Sequence, residues 1–118
     1  MKESCGCCGC EETKPLYGVA GKLAEQIDVA PKAVVSKTLL DRKAGTITLF
    51  GFDAGEGLSE HSAPFDAFVQ LVEGQLDLTI GGKPLTLKAG DAVIMPANMP
   101  HALRFPTKSK MLLVMIRG

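Results

Sequence analysis

The sequence predicts an all-β domain, folded as an antiparallel barrel or sandwich. Three observations carry this prediction. Short segments rich in Val, Ile, Leu and Phe recur from residue 33 to the end. Glycine-bearing turns separate them at near-regular intervals. The stretch Gln75 to Ile80 alternates apolar with polar residues, as a strand with one wet face does. No repeat of about 20–50 residues marks a solenoid or a propeller.

The elements follow in order. Residues 1–15 are polar, rich in Cys and Gly, and end at Pro15, which reads as a tail. Leu16, Val19, Ala20, Leu23 and Ile27 recur at helical spacing, predicting one short helix over about 18–27. Gly18 and Gly21 weaken that helix, and an extended arm with apolar anchors fits the same residues. Val34 to Leu40 is a β-branched strand, Asp41 to Gly45 a turn, and Thr46 to Phe52 the next strand. Asp53 to Gly57 reads as a glycine loop. Ala67 to Ile80 is long for one strand, and Gly74 in its middle predicts a bulge or bend. Gly81-Gly82 is a two-residue hairpin signal, because both positions accept positive φ. Leu85 and Leu87 lie on the return strand, and Gly90-Asp91 is a tight turn. Ala92 to Met95, Ala102 to Phe105 and Met111 to Ile116 complete the strands, with Lys108 to Lys110 as the last turn.

The 118 residues suit one domain, expected over 16–118 behind the tail. Hydrophobic residues make up 46% of the chain, enough for a core that buries roughly two-thirds of the unfolded surface. Lys and Arg number 13, as do Asp and Glu, so charge gives no reason to expect nucleic acid or an anionic membrane as partner. No apolar run approaches the roughly 20 residues of a membrane span, and the N-terminus lacks an apolar signal segment. A cytoplasmic location is expected. The four cysteines, Cys5, Cys7, Cys8 and Cys10, fall within six residues of the tail. Such close thiols suit soft-metal capture or redox exchange better than bridging, and they stay reduced only in a reducing compartment. C-x-C-C-x-C matches no common zinc spacing, so a tail without function fits equally well.

Both histidines of the chain, His61 and His101, lie in patterned surroundings. Gly55, His61 and Gly74 occupy three places of a pattern that runs Gly, five residues, His, one residue, His, three or four residues, Glu, six residues, Gly. Gly90, Pro96 and His101 occupy three places of a second: Gly, five residues, Pro, one residue, Gly, two residues, His, three residues, Asn. Together these resemble the two cupin motifs, and the short spacer Gln75 to Ala89 is similar to that of small single-domain, RmlC-like cupins. The resemblance implies a cupin barrel, the double-stranded β-helix or jelly roll, over most of 33–118. It implies a metal site of three histidines and one glutamate. Here Ala63 stands at the second His and Ala67 at the Glu. Asn98 replaces a glycine, a mild change since Asn tolerates the left-handed conformation. Phe105 replaces the final Asn.

Two neutral imidazoles do not hold a divalent ion tightly. Open zinc sites take three protein ligands, and non-heme iron takes two His with a carboxylate. A divalent transition metal at His61 and His101 would be weakly held, unless Asp66, Glu56 or Glu60 supplied a further donor. Strand parity turns Asp66 away if Ala67 points inward, and Glu56 and Glu60 read as solvated loop carboxylates. The alanines leave room for an organic molecule instead. The expected site is therefore a ligand pocket of His61, His101, Ala63, Ala67, Phe50, Phe52 and Met95, with no catalytic residue assigned. Methionines and phenylalanines fill cores by default, and these positions are candidates through their place around the histidines. The leading expectation is a binding module for a small, mostly apolar organic ligand. The rival is a metal-dependent cupin enzyme of dioxygenase or isomerase type with a nonstandard ligand set. A metal-delivery role for the thiol tail is the third reading. No phosphate loop, serine elbow or thiol–histidine pair points to other chemistry. An edge strand at 34–40 and the resemblance together predict a homodimer.

Overall fold

The computed structural model describes residues 16–117. Among them run nine strands: β1 (Val34–Arg42), β2 (Gly45–Phe52), β3 (Gly57–His61), β4 (Asp66–Glu73), β5 (Gln75–Ile80), β6 (Lys83–Lys88), β7 (Ala92–Met95), β8 (His101–Arg104) and β9 (Ser109–Ile116). All pairings are antiparallel. They form a five-stranded sheet in the order β1-β2-β9-β4-β7 and a four-stranded sheet in the order β3-β8-β5-β6. The two sheets pack face to face as a jelly roll, as the alternation predicts. The tail and its four thiols lie outside the described residues.

Inward positions of both sheets make one core. Val69 and Leu71 from β4, Leu76 and Leu78 from β5, Leu103 from β8 and Met111 from β9 are all buried. Phe52 and Phe105 stack at the centre of one end, their ring centroids 3.8 Å apart and their planes 16° apart. Each fully buried side chain of this size contributes about 1.5–3 kcal/mol over leaving it in water.

The turn chemistry follows the residues. Gly81 and Gly82 both take positive φ, 56° and 81°, and close the β5–β6 hairpin. Gly74 has φ 90° and breaks the long apolar run into β4 and β5. A side chain there would collide with Ser109 Oγ and the Lys108 carbonyl. The buried Ser109 hydroxyl accepts the Gln75 N–H at 3.2 Å and donates to the Thr107 carbonyl at 2.8 Å, tying the two sheets together beside that bend.

Two expectations are corrected. The helix over 18–27 is instead a single 3₁₀ turn, Leu23–Glu25, within an extended arm. Gly18 takes φ 74°, which ends helical geometry, and Val19 is 66% exposed. Leu16, Leu23 and Ile27 are anchors that pack on Leu39, Leu49 and Leu112, the outer face of the five-stranded sheet. Lys37 and Lys110 donate from that face to the Gln26 and Ala24 carbonyls, so cationic side chains take up acceptors that a longer helix would have used. The second correction is β3, which begins inside the expected glycine loop at Gly57.

Candidate functional site

His61 ends β3 and His101 begins β8, and the two residues face each other in register. Their imidazoles meet edge to face, centroids 4.4 Å apart and planes at 75°. The two Nε2 atoms are 3.1 Å apart. Each Nδ1 is held by a backbone carbonyl two residues upstream: Ser59 O at 2.8 Å from His61, and Met99 O at 3.2 Å from His101. His61 is exposed, whereas His101 is 5% exposed behind it. Burial draws the His101 pKa below the ordinary imidazole value. The neighbouring His61 acts in the same direction, and the Met99 carbonyl opposes both.

The strand register locates the other expected residues. Ala67 is buried and pairs with both Met95 and Met115 across the five-stranded sheet. The Ala63 carbonyl accepts the Asn98 N–H at 2.7 Å, joining the approach to β4 to the loop before His101. Ala63, Ala67 and Met95 therefore share the histidine end of the barrel. Phe50 and Phe52 do not. Phe52 pairs with Ser109 and Ala67 with Met115, six residues further along β9, roughly 20 Å along the strand. It is fully buried against Phe105, and Phe50 stacks on it at 5.8 Å. Both therefore belong to the plugged end. A surface hollow lined by Thr38 to Arg42 lies on the other sheet and shares no residue with the pair.

Asp66 is turned away from the barrel, as parity requires, and has a different task. Its Oδ1 accepts the Ala97 N–H at 2.8 Å, a second clasp on the loop that carries Met99 and His101. Sequence reasoning treated Asp66 only as a substitute ligand. The carbonyls of Ser59 and Met99 left no sequence signal, because every residue has one.

A resident metal of the kind the motifs imply does not fit this donor set. Nitrogens 3.1 Å apart could span one edge of a coordination shell with bonds of about 2.0–2.1 Å. Among the described residues, however, no three His, Cys, Asp or Glu side chains converge. Asp66 is engaged elsewhere, and Glu60 is exposed.

Residues 48–117, more than half of the chain, match the cupin domain. The chain belongs to the cupin family. Solved structures agree with that assignment. A conserved Streptococcus pyogenes protein of unknown function superposes with a TM-score of 0.83 at 29% identity, covering 90% of this chain and 93% of its own. A cupin 2 conserved barrel domain protein from Leptotrichia buccalis gives 0.75 at 34% identity, over 80% of this chain and 46% of its own. Polyketide synthase CurC of Streptomyces cyaneus is 37% identical over 51 residues, 42% of this chain. That match spans about a third of the curated relative's length. The matched span holds His61 and His101 together with Ala63 and Ala67. Among the described residues no helix is long and apolar enough to cross a membrane.

Proposed function

We propose that this cupin binds a small, mostly apolar organic molecule at the histidine end of its barrel, oriented by His61 and His101, without a resident metal. One observation carries the reading. The two imidazoles converge at 3.1 Å while the remaining motif positions, Ala63 and Ala67, contribute methyl groups. A surface of Ala67, Met95 and Ile80 behind two aimed nitrogens favours an apolar body with one polar group. The name of the Streptomyces relative links it to polyketide synthesis, which is consistent with an organic ligand. The rival reading, a metal-dependent enzyme, draws on the nitrogen spacing but lacks donors.

The test is a thermal-shift screen of small organic compounds on the full chain and on His61→Ala. Compounds that raise Tm in the wild type and lose at least about tenfold in affinity in the variant support the proposal; tenfold is 1.4 kcal/mol, the scale of one good hydrogen bond. A broad screen without any His61-dependent binder would sink it.

A further inference from the structure

Resting on that reading, we infer that the bound molecule is an amphiphile whose head carries a second, neutral hydrogen-bonding group, a hydroxyl, and that Thr46 and Thr48 receive it opposite the histidines. The inward residues of β2 run Thr46, Thr48, Phe50, Phe52. Ile47 and Leu49, of the other parity, pack with the arm on the outer face, while Phe50 and Phe52 join the core. The strand is therefore aromatic at the plugged end and hydroxylated toward the histidine end. The same division runs across the sheet. Thr48 is in register with Leu113, Val69 and Val93 on one side and with Thr38 on the other. Thr46 is in register with Met115, Ala67 and Met95 on one side and with Asp41 on the other. Strands β9, β4 and β7 thus present an apolar floor, and β1 and β2 a hydroxyl-bearing flank. Valine forms strands as readily as threonine and would continue the apolar floor, so the strand itself does not call for these hydroxyls.

The topology sets the histidines over that flank. Short connections join β2 to β3, β9 to β8, β4 to β5 and β7 to β6, strands that follow the same order in the two sheets. Strand β3 therefore lies over β2, and β8 over β9. The stack of Phe52 on Phe105 ties one level of the two sheets together. From it, His101 is four residues along β8 and Thr48 four residues along β2, both toward the open end. Thr48 thus stands at the level of the histidines, and Thr46 lies one rung nearer the mouth. Facing sheets are about 10 Å apart. A head held between them meets imidazole nitrogens from one side and threonine hydroxyls from the other. A threonine hydroxyl both donates and accepts, which suits a ligand hydroxyl. Asp41, the carboxylate on this flank, is bridged to Arg117 at 3.6 Å, so the inward groups left for a ligand there are hydroxyls. Thr38 and Asp41 also line the hollow on β1, so the polar flank continues to the solvent. The head is therefore directed toward β1 and the apolar body toward β7.

The experiment is calorimetric titration of the full chain with styrene glycol and with hydratropic alcohol. These share a phenyl ring and a terminal hydroxyl, and the second compound has a methyl where the first has its other hydroxyl. A purely apolar site favours the methyl compound. The expected result is the reverse, with styrene glycol bound at least about tenfold more tightly. Thr46→Val combined with Thr48→Val keeps shape and strand preference and should remove that advantage. The glycol should lose at least about tenfold in affinity, while hydratropic alcohol should bind as before or better. His61→Ala should weaken both compounds, since both offer the terminal hydroxyl. Hydratropic alcohol bound as tightly as the glycol, and still dependent on His61, overturns the inference and leaves the ligand reading standing. A preference for the glycol that survives the two valines overturns it as well. A valine-sensitive preference that is indifferent to His61→Ala sinks the ligand reading and this inference together. Failure of both compounds to bind overturns the assignment of the head, and the screen above then judges the ligand reading by itself.

Discussion

His101 is held neutral by its surroundings, and this fixes how the free protein responds to acid. Its pKa in the fold lies below the ordinary value of about 6.5 that it regains on unfolding. As pH falls through 6.5 the unfolded chain binds a proton that the folded chain refuses. Stability therefore drops with falling pH from about 6.5 down to the depressed folded value and levels off below it. The slope cannot exceed about 1.4 kcal/mol per pH unit for one group. Urea denaturation of the ligand-free protein at pH 7.5, 6.5 and 5.5 should show the decline, and His101→Gln should flatten it. An unchanged slope in the variant would assign the effect to other groups. The two alanines give a second expectation. Ala63→His combined with Ala67→Glu, with Cys5, Cys7, Cys8 and Cys10 changed to Ser so that thiols cannot contribute, should raise zinc affinity at least about a hundredfold. Loss of even an outer-shell partner costs roughly 10–100-fold, and here two direct donors are added. Zinc titration without any gain would mean that Ala63 and Ala67 do not stand where ligands can act.

The bend between β4 and β5 separates two costs that glycine avoids. Gly74 and Gly90 have nearly equal φ, 90° and 95°. A side chain at Gly90 meets open space, whereas one at Gly74 meets Ser109 and Lys108. Gly90→Ala should cost about 1–2 kcal/mol of backbone strain alone. Gly74→Ala should cost more, because the Ser109 junction must also move, and equal losses in thermal denaturation would refute this account. Both positions were legible in the sequence, as were the Gly-Gly hairpin and strand β7, since turn chemistry and β-branched runs are local signals. Asn98, at φ 64°, does stand in for the motif glycine. What escaped was set by distant partners. Strand β3 reads Gly-Leu-Ser-Glu-His, with no β-branched residue, and is a strand only because β8 lies beside it. Leu16, Leu23 and Ile27 have helical spacing, but the sheet surface beneath them sets the path of the arm. At the site, the histidine pair was readable from the motif frames. The exclusion of Phe50 and Phe52 needed the register, which no spacing in the sequence reports.

At the scale of the whole molecule, the five-stranded sheet ends in β1, which pairs on one side only among the described residues and has Val34 40% exposed. Edge strands of this length invite pairing. The protein is expected to be a homodimer joined through β1. Light scattering should give twice the 12.5 kDa chain mass, and Thr38→Pro, which removes a ladder N–H, should shift the balance toward monomer. Monomer at every accessible concentration would refute the dimer. Removing residues 1–14 should change neither the mass ratio nor the fold, since that polar segment has too few apolar side chains to join a core.

The clasps on the loop before His101 have a kinetic consequence. The amide protons of Ala97 and Asn98 are committed to acceptors at the approach to and start of β4, Asp66 Oδ1 and the Ala63 carbonyl. Neither can exchange with deuterated solvent until its own clasp parts. These two amides are thus a built-in clock for breathing of the loop that carries one wall of the site. A ligand held against His101 should slow both together, because departure of the loop would also withdraw the Met99 carbonyl that fixes the ring. Occupancy of the site would then be readable, without any label, from the lifetimes of two backbone protons that touch no ligand.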